Sequence, residues 1–455
     1  MMKKLLLVSL ALLFATSALA TEVKVSGDYY AEGTYYGNFA FADDDEVNYS
    51  GYEHQMNVKV QFVVDPETSA VISAGLRQED WLDMAKSNDE AAHDTFFPDA
   101  GAKVNESGSL DDNIAIEQAY VSHKFPTDTT LVVGLMSGGT WGVGCEGGSI
   151  PFGEKLDYFY RVKVNQDLVN GIFTSYIEKR YDAGMLEQTV KDAEKDDGDK
   201  YAIGWTGGKF DNVNVNGTLT YVNASNTIAD RGSDGTKTVG LDISSSALFE
   251  LGGKKCGFDA EAIYVDSSKD ATATADKVDY SVYGIYYHMF SDVTDMVRIG
   301  GWIAYGSVDY DDDNDVYVLN GAFDFGDDFN SGLIYGDEIT TDSIVDGIVN
   351  DPNVNVGGKD LAGVTAIKLY SDFSINDELS IGGALLYWMD NFDSDLIEFD
   401  GMEIDITGVY KITKAMKGYA GIGYATLDVT ADDSLGGDPD LGEAMLARVG
   451  VSLVF

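Results

Sequence analysis

The stretch "ARVGVSLVF", residues 447–455, alternates apolar side chains with other residues and ends on an aromatic residue. One face of this stretch carries Ala447, Val449, Val451, Leu453 and Phe455. Successive side chains of a β-strand point to opposite faces, so a period of two predicts a strand with one apolar face. A soluble sheet usually ends in a few polar residues. We therefore expect a closed sheet, in which the last strand pairs with the first.

The same period of two recurs along the chain, for example in "MNVKVQFVV" (56–64) and "DGMEIDITGVYKI" (400–412). It predicts an all-β antiparallel barrel of about twenty strands, and an even number is usual for a bacterial single-chain barrel. Eighteen or sixteen strands are the alternatives. The predicted strands are 22–37, 52–64, 70–82, 113–125, 129–136, 157–165, 171–182, 200–208, 212–223, 237–249, 257–266, 278–290, 295–308, 316–325, 329–338, 361–373, 378–390, 401–413, 417–428 and 444–455.

The connections between these strands alternate in length. Short ones, such as "DPETS" (65–69), are followed by long ones, such as 83–112 and 339–360. A transmembrane barrel with short periplasmic turns and long outer loops has this alternation. A soluble β-sandwich does not require it, so the alternation favours the membrane barrel.

The other end of the chain, "MMKKLLLVSLALLFATSALA", has the three parts of a secretory signal peptide. Two lysines precede an apolar run, and Ala18-Leu19-Ala20 is a small-residue cleavage site. We expect residues 1–20 to be removed and 21–455 to form one barrel domain. With the outer-membrane barrel, this predicts a location in the outer membrane of a Gram-negative bacterium.

The composition is strongly acidic, with a formal charge of −47. Removing the two lysines of the signal peptide takes the charge to −49. A nucleic-acid-binding protein needs a basic surface to neutralise phosphates, so this class is excluded. The chain has 27 Tyr, 21 Phe and 51 Gly but only 6 Pro, which suits many strands joined by tight turns.

The segment "IEQAYVSHKFPTDTTLVVGLMSGGTWG", residues 116–142, resembles part of the bacterial outer-membrane porins. Gln118 to Val121 and Val133-Gly134 match the porin pattern, whereas Glu117 replaces a usual arginine. The apolar alternation before the final Phe455, with Val451 and Leu453, also resembles the signature that the barrel assembly machinery recognises. The resemblance implies a diffusion channel for small hydrophilic solutes, commonly a homotrimer embedded in outer-membrane lipid and lipopolysaccharide.

In porins, a long loop after this segment folds back into the pore. The corresponding residues 137–155 contain seven glycines, which allow sharp bends close to a wall. We expect this third loop to form a constriction that carries Glu146 and Glu154.

Ionisable residues within the strands should face the lumen, because an Arg or Lys that faces lipid at the midplane costs about 2–4 kcal/mol. The pore-lining candidates are Lys59, Arg77, Glu117, Arg161, Lys163 and Arg298, and others are Glu79, Asp259, Glu261, Lys368, Glu403, Asp405, Lys411 and Arg448. Both signs occur, so the wall alone does not decide ion preference. Acidic loops should attract cations, and we expect a cation-preferring channel.

Asp309, Asp311, Asp313 and Asp315 have the every-other spacing of a calcium loop. Asn314 and Asn320 stand where an EF-hand needs glycine and a bidentate glutamate, so only weak binding of Ca²⁺ or Mg²⁺ is expected. No other cofactor is predicted. The two cysteines, Cys145 and Cys256, lie far apart in sequence, and we expect no disulfide between them.

Two other functions remain open at this stage. An outer-membrane hydrolase would need a nucleophile beside a base, but Ser122 and His123 are adjacent on a strand and point to opposite faces. The chain is therefore predicted not to be an enzyme. A barrel that sheathes an electron-transfer partner is the second alternative, since a barrel of this size has room for one.

Overall fold

The computed structural model describes residues 22–37, 49–78, 114–137, 158–168, 170–182, 197–210, 212–225, 236–269, 278–311, 318–323, 331–334, 363–391, 397–431 and 443–455. The predicted signal peptide and the predicted third loop lie almost entirely outside this range, so both stay predictions. Within it, every regular element is a β-strand. No helix among these residues has the length and hydropathy to cross a membrane.

Eighteen strands form one antiparallel sheet, and two short strands form a separate hairpin. The sheet strands are β1 (Glu22–Gly37), β2 (Tyr49–Val63), β3 (Thr68–Gln78), β4 (Ile114–Lys124), β5 (Thr129–Ser137), β6 (Tyr158–Leu168), β7 (Gly171–Asp182), β8 (Asp197–Phe210), β9 (Val213–Ser225), β10 (Thr236–Leu251), β11 (Lys254–Lys269), β12 (Val278–Asp292), β13 (Val297–Gly306), β16 (Val364–Ser374), β17 (Leu379–Asp390), β18 (Ile397–Lys411), β19 (Met416–Ala431) and β20 (Glu443–Val454). The hairpin strands are β14 (Val308–Asp311) and β15 (Val318–Ala322).

The sheet closes because β1 pairs with both β2 and β20. The register of the closing pair runs from Asp28 opposite Val454 to Gly37 opposite Met445. The final residue extends this pairing, since Gly27 N–H donates to Phe455 O at 2.8 Å and Phe455 N–H donates to Gly27 O at 2.9 Å. The closed barrel that the terminal alternation predicted is therefore confirmed, with the alternative count of eighteen strands.

The connections alternate in length around the whole barrel. Eight have two to four residues, and the other nine have at least five. The tight turn between β10 and β11 consists of Gly252 and Gly253, with φ values of 60° and 77°. A type I′ hairpin turn requires positive φ at both central residues, which glycine adopts without strain. The short turns define one rim, which we assign to the periplasm, and the long connections define the outer rim.

The outward face of the barrel is an apolar belt between two aromatic girdles. Most exposed tyrosines lie near the outer rim: Tyr35, Tyr52, Tyr160, Tyr201, Tyr221, Tyr264, Tyr283 and Tyr387. Tyr287 lies in the middle of β12, and Tyr410 lies near the periplasmic rim. Exposed phenylalanines lie near the periplasmic rim: Phe125, Phe173, Phe210, Phe249, Phe373 and Phe455. Between them are exposed aliphatic side chains such as Ile203, Ile243 and Ile404. This arrangement suits a lipid core bounded by two polar interfaces.

The prediction of twenty strands is wrong at one place, residues 316–338. There β13 pairs directly with β16, so the predicted strands 316–325 and 329–338 are not in the barrel wall. Among the described residues of this stretch, 318–323 and 331–334, only 318–322 form a strand, which pairs with β14 in the hairpin. Of the next described residues, Phe323, Leu333 and Ile334 are buried in the apolar core. These apolar residues pack inside the barrel instead of facing lipid, which is why the count is eighteen.

Candidate functional site

A continuous row of paired residues crosses the inner face of ten neighbouring strands. From β20 to β9 the row consists of Ala444, Ala425, Glu403, Leu386, Lys368, Trp302, His288, Asp259, Ser246 and Asn214. Directly opposed residues of antiparallel strands share a face of the sheet. Because Ala444, Ala425 and Leu386 of this row are buried in a closed barrel, the row marks the lumen side.

One side of the lumen is filled by apolar side chains. The buried cluster consists of Val282, Ala304, Phe323, Leu333, Ile334, Val364, Ala366, Leu386, Trp388, Ala425, Leu427, Ala444 and Leu446. Ten of these residues belong to strands of the wall, on β12, β13, β16, β17, β19 and β20. Phe323, Leu333 and Ile334 come from the connection between β13 and β16. This connection therefore narrows the barrel from within.

The four residues Ser331–Ile334, called the inner segment below, are bound to the wall by two charged side chains. Glu403 Oε1 accepts hydrogen bonds from the backbone N–H groups of Leu333 (2.6 Å) and Ile334 (2.8 Å). Lys368 Nζ donates to the carbonyl oxygen of Ser331 at 2.5 Å. The side chain of Glu403 is completely buried and therefore has no contact with water. The two N–H groups of the inner segment and the nearby Lys368 compensate its charge instead.

The lumen side of β6 to β11 is lined with polar residues. Asn216 Nδ2 donates to Ser244 Oγ at 3.1 Å, and Asn214 Nδ2 donates to Ser246 Oγ at 3.2 Å. Between β6 and β7, Thr174 Oγ1 donates to the Asn165 side chain at 2.9 Å. We call this lining the polar wall. Thr174, Asn216, Ser244 and Ser246 are buried.

Arg161 and Glu178 form a buried ion pair on the polar wall. The two residues are opposed in β6 and β7, and the side chain of Glu178 has no exposed surface. The guanidinium of Arg161 also lies 4.7 Å from the ring centroid of Tyr176, where a cation–π contact is favourable. Arg161 is therefore held against the wall, and its positive charge is neutralised locally.

Three carboxylates lie together on β10 and β11: Asp242, Asp259 and Glu261. Glu261 and Asp259 are buried, and the side chain of Asp242 is in contact with that of Glu261. Their opposed residues on neighbouring strands are Thr218, Ile263, Ser244, Tyr286, Ser246 and His288, none of which carries a permanent positive charge. We call these three residues the acidic cluster.

His288 bridges the acidic cluster and the filled side. Its Nδ1 lies 3.0 Å from Asp259 Oδ2, and its Nε2 lies 2.8 Å from the hydroxyl of Tyr370. Tyr370 reaches β12 from β16 because its ring passes over Gly300 of β13, where any side chain would collide with it. Both ring nitrogens of His288 are thus engaged. Another histidine, His123, has its Nδ1 2.9 Å from Thr68 Oγ1 near the periplasmic rim.

The predicted pore-lining residues are distributed over several strands. Glu117 is buried and is the extra residue of a bulge in β4, between the partners of Ser73 and Ala74. A side chain added at Gly75 would collide with it. Lys59 has an exposed side chain opposite Ser73, on the same face as Asn57. Lys163 lies opposite Tyr176 of β7. Arg77 belongs to β3, but its side chain lies outside the described structure, as do the residues Glu146 and Glu154.

Arg298 lies near the periplasmic rim of the lumen. Its Nε donates to Asp292 Oδ1 at 2.7 Å, and its guanidinium carbon lies 4.1 Å from the ring centroid of Phe290. Like Arg161, it is paired with a carboxylate and rests on an aromatic ring. Its predicted role in the pore stays a prediction.

The predicted calcium residues are only partly described. Asp309 Oδ2 accepts a hydrogen bond from the backbone N–H of Ser281 at 2.6 Å, so this carboxylate helps attach the hairpin to β12. The side chain of Asp311 and the residues Asp313 and Asp315 lie outside the described structure. Cys256 is buried and unbridged, with its thiol 3.3 Å from Ser291 Oγ, and Cys145 is not described.

The sequence contained a signal for the inner segment that the strand prediction overlooked. Leu333 and Ile334 are adjacent, and a wall strand would turn these two apolar side chains to opposite faces. The structure buries both, because the segment lies inside the barrel. Lys368 and Glu403 were expected on the lumen side, but their contact with this segment was not.

Comparison with known proteins supports the fold. No family model matches the sequence, and no curated protein sequence is significantly similar. Solved structures of Pseudomonas aeruginosa outer-membrane proteins are similar in three dimensions. OccK8 (OprE) covers 95% of this chain and 98% of its own at a TM-score of 0.50 and 12% identity. The alignment with OpdK, crystallised with vanillate, covers 95% of this chain and 98% of OpdK at a TM-score of 0.50 and 11% identity. The alignment with OpdQ covers 96% of this chain and 99% of OpdQ at a TM-score of 0.51 and 10% identity.

These similarities are at the level of the fold. The chain has the fold of an outer-membrane porin, as the segment 116–142 and the terminal alternation predicted. Closed antiparallel barrels with an apolar outer belt span the outer membranes of Gram-negative bacteria, which is the predicted location.

Proposed function

We propose that this chain is an outer-membrane channel for passive diffusion of small hydrophilic solutes and that it prefers cations. The observation that carries the proposal is the distribution of charge in the described lumen. Arg161 and Arg298 are each paired with a carboxylate, and the acidic cluster adds three carboxyl groups to the lumen side of β10 and β11. The polar wall supplies a hydrophilic path beside this cluster.

The acidic outer connections act in the same direction. A net charge of −49 on residues 21–455 creates a negative potential that concentrates cations at the outer rim. Salt screens such potentials over about 10 Å at 0.1 M ionic strength. The cation preference should therefore be strongest at low salt, and the part that remains at high salt should come from the lumen.

Planar-bilayer recordings in a salt gradient test this proposal. We expect a reversal potential of the sign for cation preference, which becomes smaller as salt rises. The double variant Asp242→Asn/Glu261→Gln should reduce the preference, because it removes the negative charge of this hydrogen-bonded carboxyl pair from the polar side of the lumen. Glu67→Gln is the control, since Glu67 is exposed in the turn between β2 and β3. Anion preference of the unmodified protein at low salt would refute the proposal.

The proposed partners follow from the same function. We propose that three copies associate in outer-membrane lipid and lipopolysaccharide, and that the barrel assembly machinery inserts them. Native electrophoresis of protein extracted in mild detergent tests the trimer. Weak binding of Ca²⁺ or Mg²⁺ by the acidic run 309–315 is also a proposal, which calcium titration of the purified protein tests.

The observations do not favour the alternative functions. The inner segment and the apolar cluster occupy lumen space that an electron-transfer partner would need. Of the described histidines, His288 has Asp259 and Tyr370 as neighbours, and His123 contacts Thr68 near the periplasmic rim. A diffusion channel accounts for the polar wall, which neither alternative requires.

A further inference from the structure

The inner segment is surrounded by wall residues that are shaped to receive it. It lies against β18 and β19, and three of its residues, Ser331, Leu333 and Ile334, are buried. The two charged side chains that bind its backbone come from β16 and β18 and are separated only by Leu386 of β17. Three adjacent strands of the wall therefore form the binding surface.

Two glycines of β19 make room for the segment. A β-carbon added to Gly423 would lie 3.2 Å from Leu333 Cβ and 3.3 Å from Ile334 Cγ1. A β-carbon added to Gly421 would lie 3.0 Å from Leu333 Cδ1. A side chain at either position would require the segment to shift by a few tenths of an ångström, so the two glycines permit this close contact.

The backbone of the segment is bound at both of its ends. Glu403 accepts the N–H groups of two successive residues at its C-terminal end, and Lys368 donates to the carbonyl of its first residue. Hydrogen bonds to ionised groups are stronger than those between neutral groups, and low polarity strengthens them further. Apolar packing alone would allow the segment to slide along the wall, whereas these three bonds fix its position.

We propose that Glu403 and Lys368 are positioning residues that hold the inner segment against the wall and thereby set the bore of the channel. The inference rests on the proposed function, because a bore has meaning only if solutes pass. In this proposal, Glu403 and Lys368 on the filled side determine the width of the channel, and the residues of the polar wall determine its ion preference.

Single-channel conductance in 1 M KCl is the first test. At this salt the screening length is about 3 Å, so a change in conductance reports width more than charge. Glu403→Ala and Lys368→Met each remove part of the attachment, and we expect conductance to rise roughly 1.5-fold or more, because the lumen of a barrel of this size is wide once nothing folds into it. Liposome swelling should admit larger sugars than the unmodified protein admits.

Glu32→Ala is the matched control. Glu32 lies on the lumen face of β1, opposite Gly450 of β20, and is away from the inner segment. The Glu32→Ala variant removes one lumen carboxylate but leaves the hydrogen bonds of Glu403 and Lys368 to the inner segment in place. Its conductance in 1 M KCl should therefore equal that of the unmodified protein. Glu403→Gln should give an intermediate result, because an amide oxygen still accepts hydrogen bonds but carries no charge.

A disulfide provides the decisive test. Leu333→Cys and Gly423→Cys place two β-carbons about as close as a disulfide needs, since typical separations are roughly 3.5–4.5 Å. The pair is made in a Cys145→Ser/Cys256→Ser background that also carries Glu403→Ala. Oxidation should lower the conductance to that of the unmodified protein, and reduction should raise it again.

The outcomes separate the two claims. If the unmodified protein conducts and both Glu403→Ala and Lys368→Met conduct equally well, the positioning role is wrong and the proposed function stands. If the disulfide forms but does not lower the raised conductance, damage to the wall explains the variants and the inference is again wrong. If the unmodified protein forms no channel at all, the proposed function itself is overturned.

Discussion

Changing Phe455 to Asp should lower the amount of folded barrel in the outer membrane at least tenfold. Phe455 is the last residue, its backbone pairs with Gly27 of β1, and its ring lies in the periplasmic girdle. A carboxylate there would remove the aromatic end of the alternation that resembles the assembly signature, and it would also weaken the closing seam. Heat-modifiable mobility of membrane-fraction protein on gels measures the folded amount.

The Phe125→Asp variant distinguishes a defect in barrel assembly from the general cost of placing a charged side chain at the membrane interface. Phe125 lies in the turn between β4 and β5, at the same rim, and is exposed to a similar degree (41% against 47% for Phe455). An aspartate there meets a similar interface but leaves the closing strand unchanged, so we expect a much smaller loss. Equal losses in the two variants would show that any charge at this rim prevents folding and that the terminal position is not special.

Changing Glu178 to Gln should destabilise the barrel and reduce its cation preference together. Removal of one member of a buried ion pair leaves an uncompensated charge and costs about 3–5 kcal/mol. Arg161 would then keep its positive charge on the polar wall without the opposing carboxylate. Urea unfolding in lipid vesicles measures the stability, and the reversal potential in a salt gradient measures the preference.

The double variant Arg161→Met/Glu178→Leu is the control for this pair. Apolar residues of similar size often replace a buried ion pair without loss of stability. We therefore expect the double variant to unfold near the urea concentration of the unmodified protein, well above that of Glu178→Gln. Unchanged stability and unchanged reversal potential in Glu178→Gln would mean that water, and not Glu178, compensates Arg161.

Most of the wall could be predicted from the sequence, because lipid and lumen impose opposite demands on alternate residues. The stretch 400–412 is a clear example: Met402, Ile404 and Ile406 are exposed on the outer face, and Glu403 and Asp405 are buried on the inner face. A period of two can arise in this way only from a strand with different surroundings on its two faces. For the same reason, the location of Glu403 on the lumen face of the wall could be predicted from the sequence.

The sequence could not predict where a connection enters the lumen. Phe323 and Phe325 alternate with Asp324, which imitates a wall strand, although the structure places Phe323 in the interior beside Gly284. Apolar side chains are buried equally well by lipid or by the interior of the barrel. Hydrophobicity therefore does not distinguish a strand of the wall from a segment that packs inside the barrel. The bonds of Glu403 and Lys368 to the inner segment join residues about 35 to 70 positions apart in the chain, and local patterns contain no information about such pairings.

The unequal rims of the barrel determine what an antibody or a phage can reach on an intact cell. All nine longer connections leave the same rim, so a peptide epitope grafted into the ten residues 226–235, between β9 and β10, would be displayed to the medium. The same epitope placed at Gly252-Gly253 would be hidden in the periplasm, and it would also disrupt a turn that needs two glycines. The two grafts thus form a matched pair for antibody labelling of whole cells, and labelling of the first but not the second would map the topology directly.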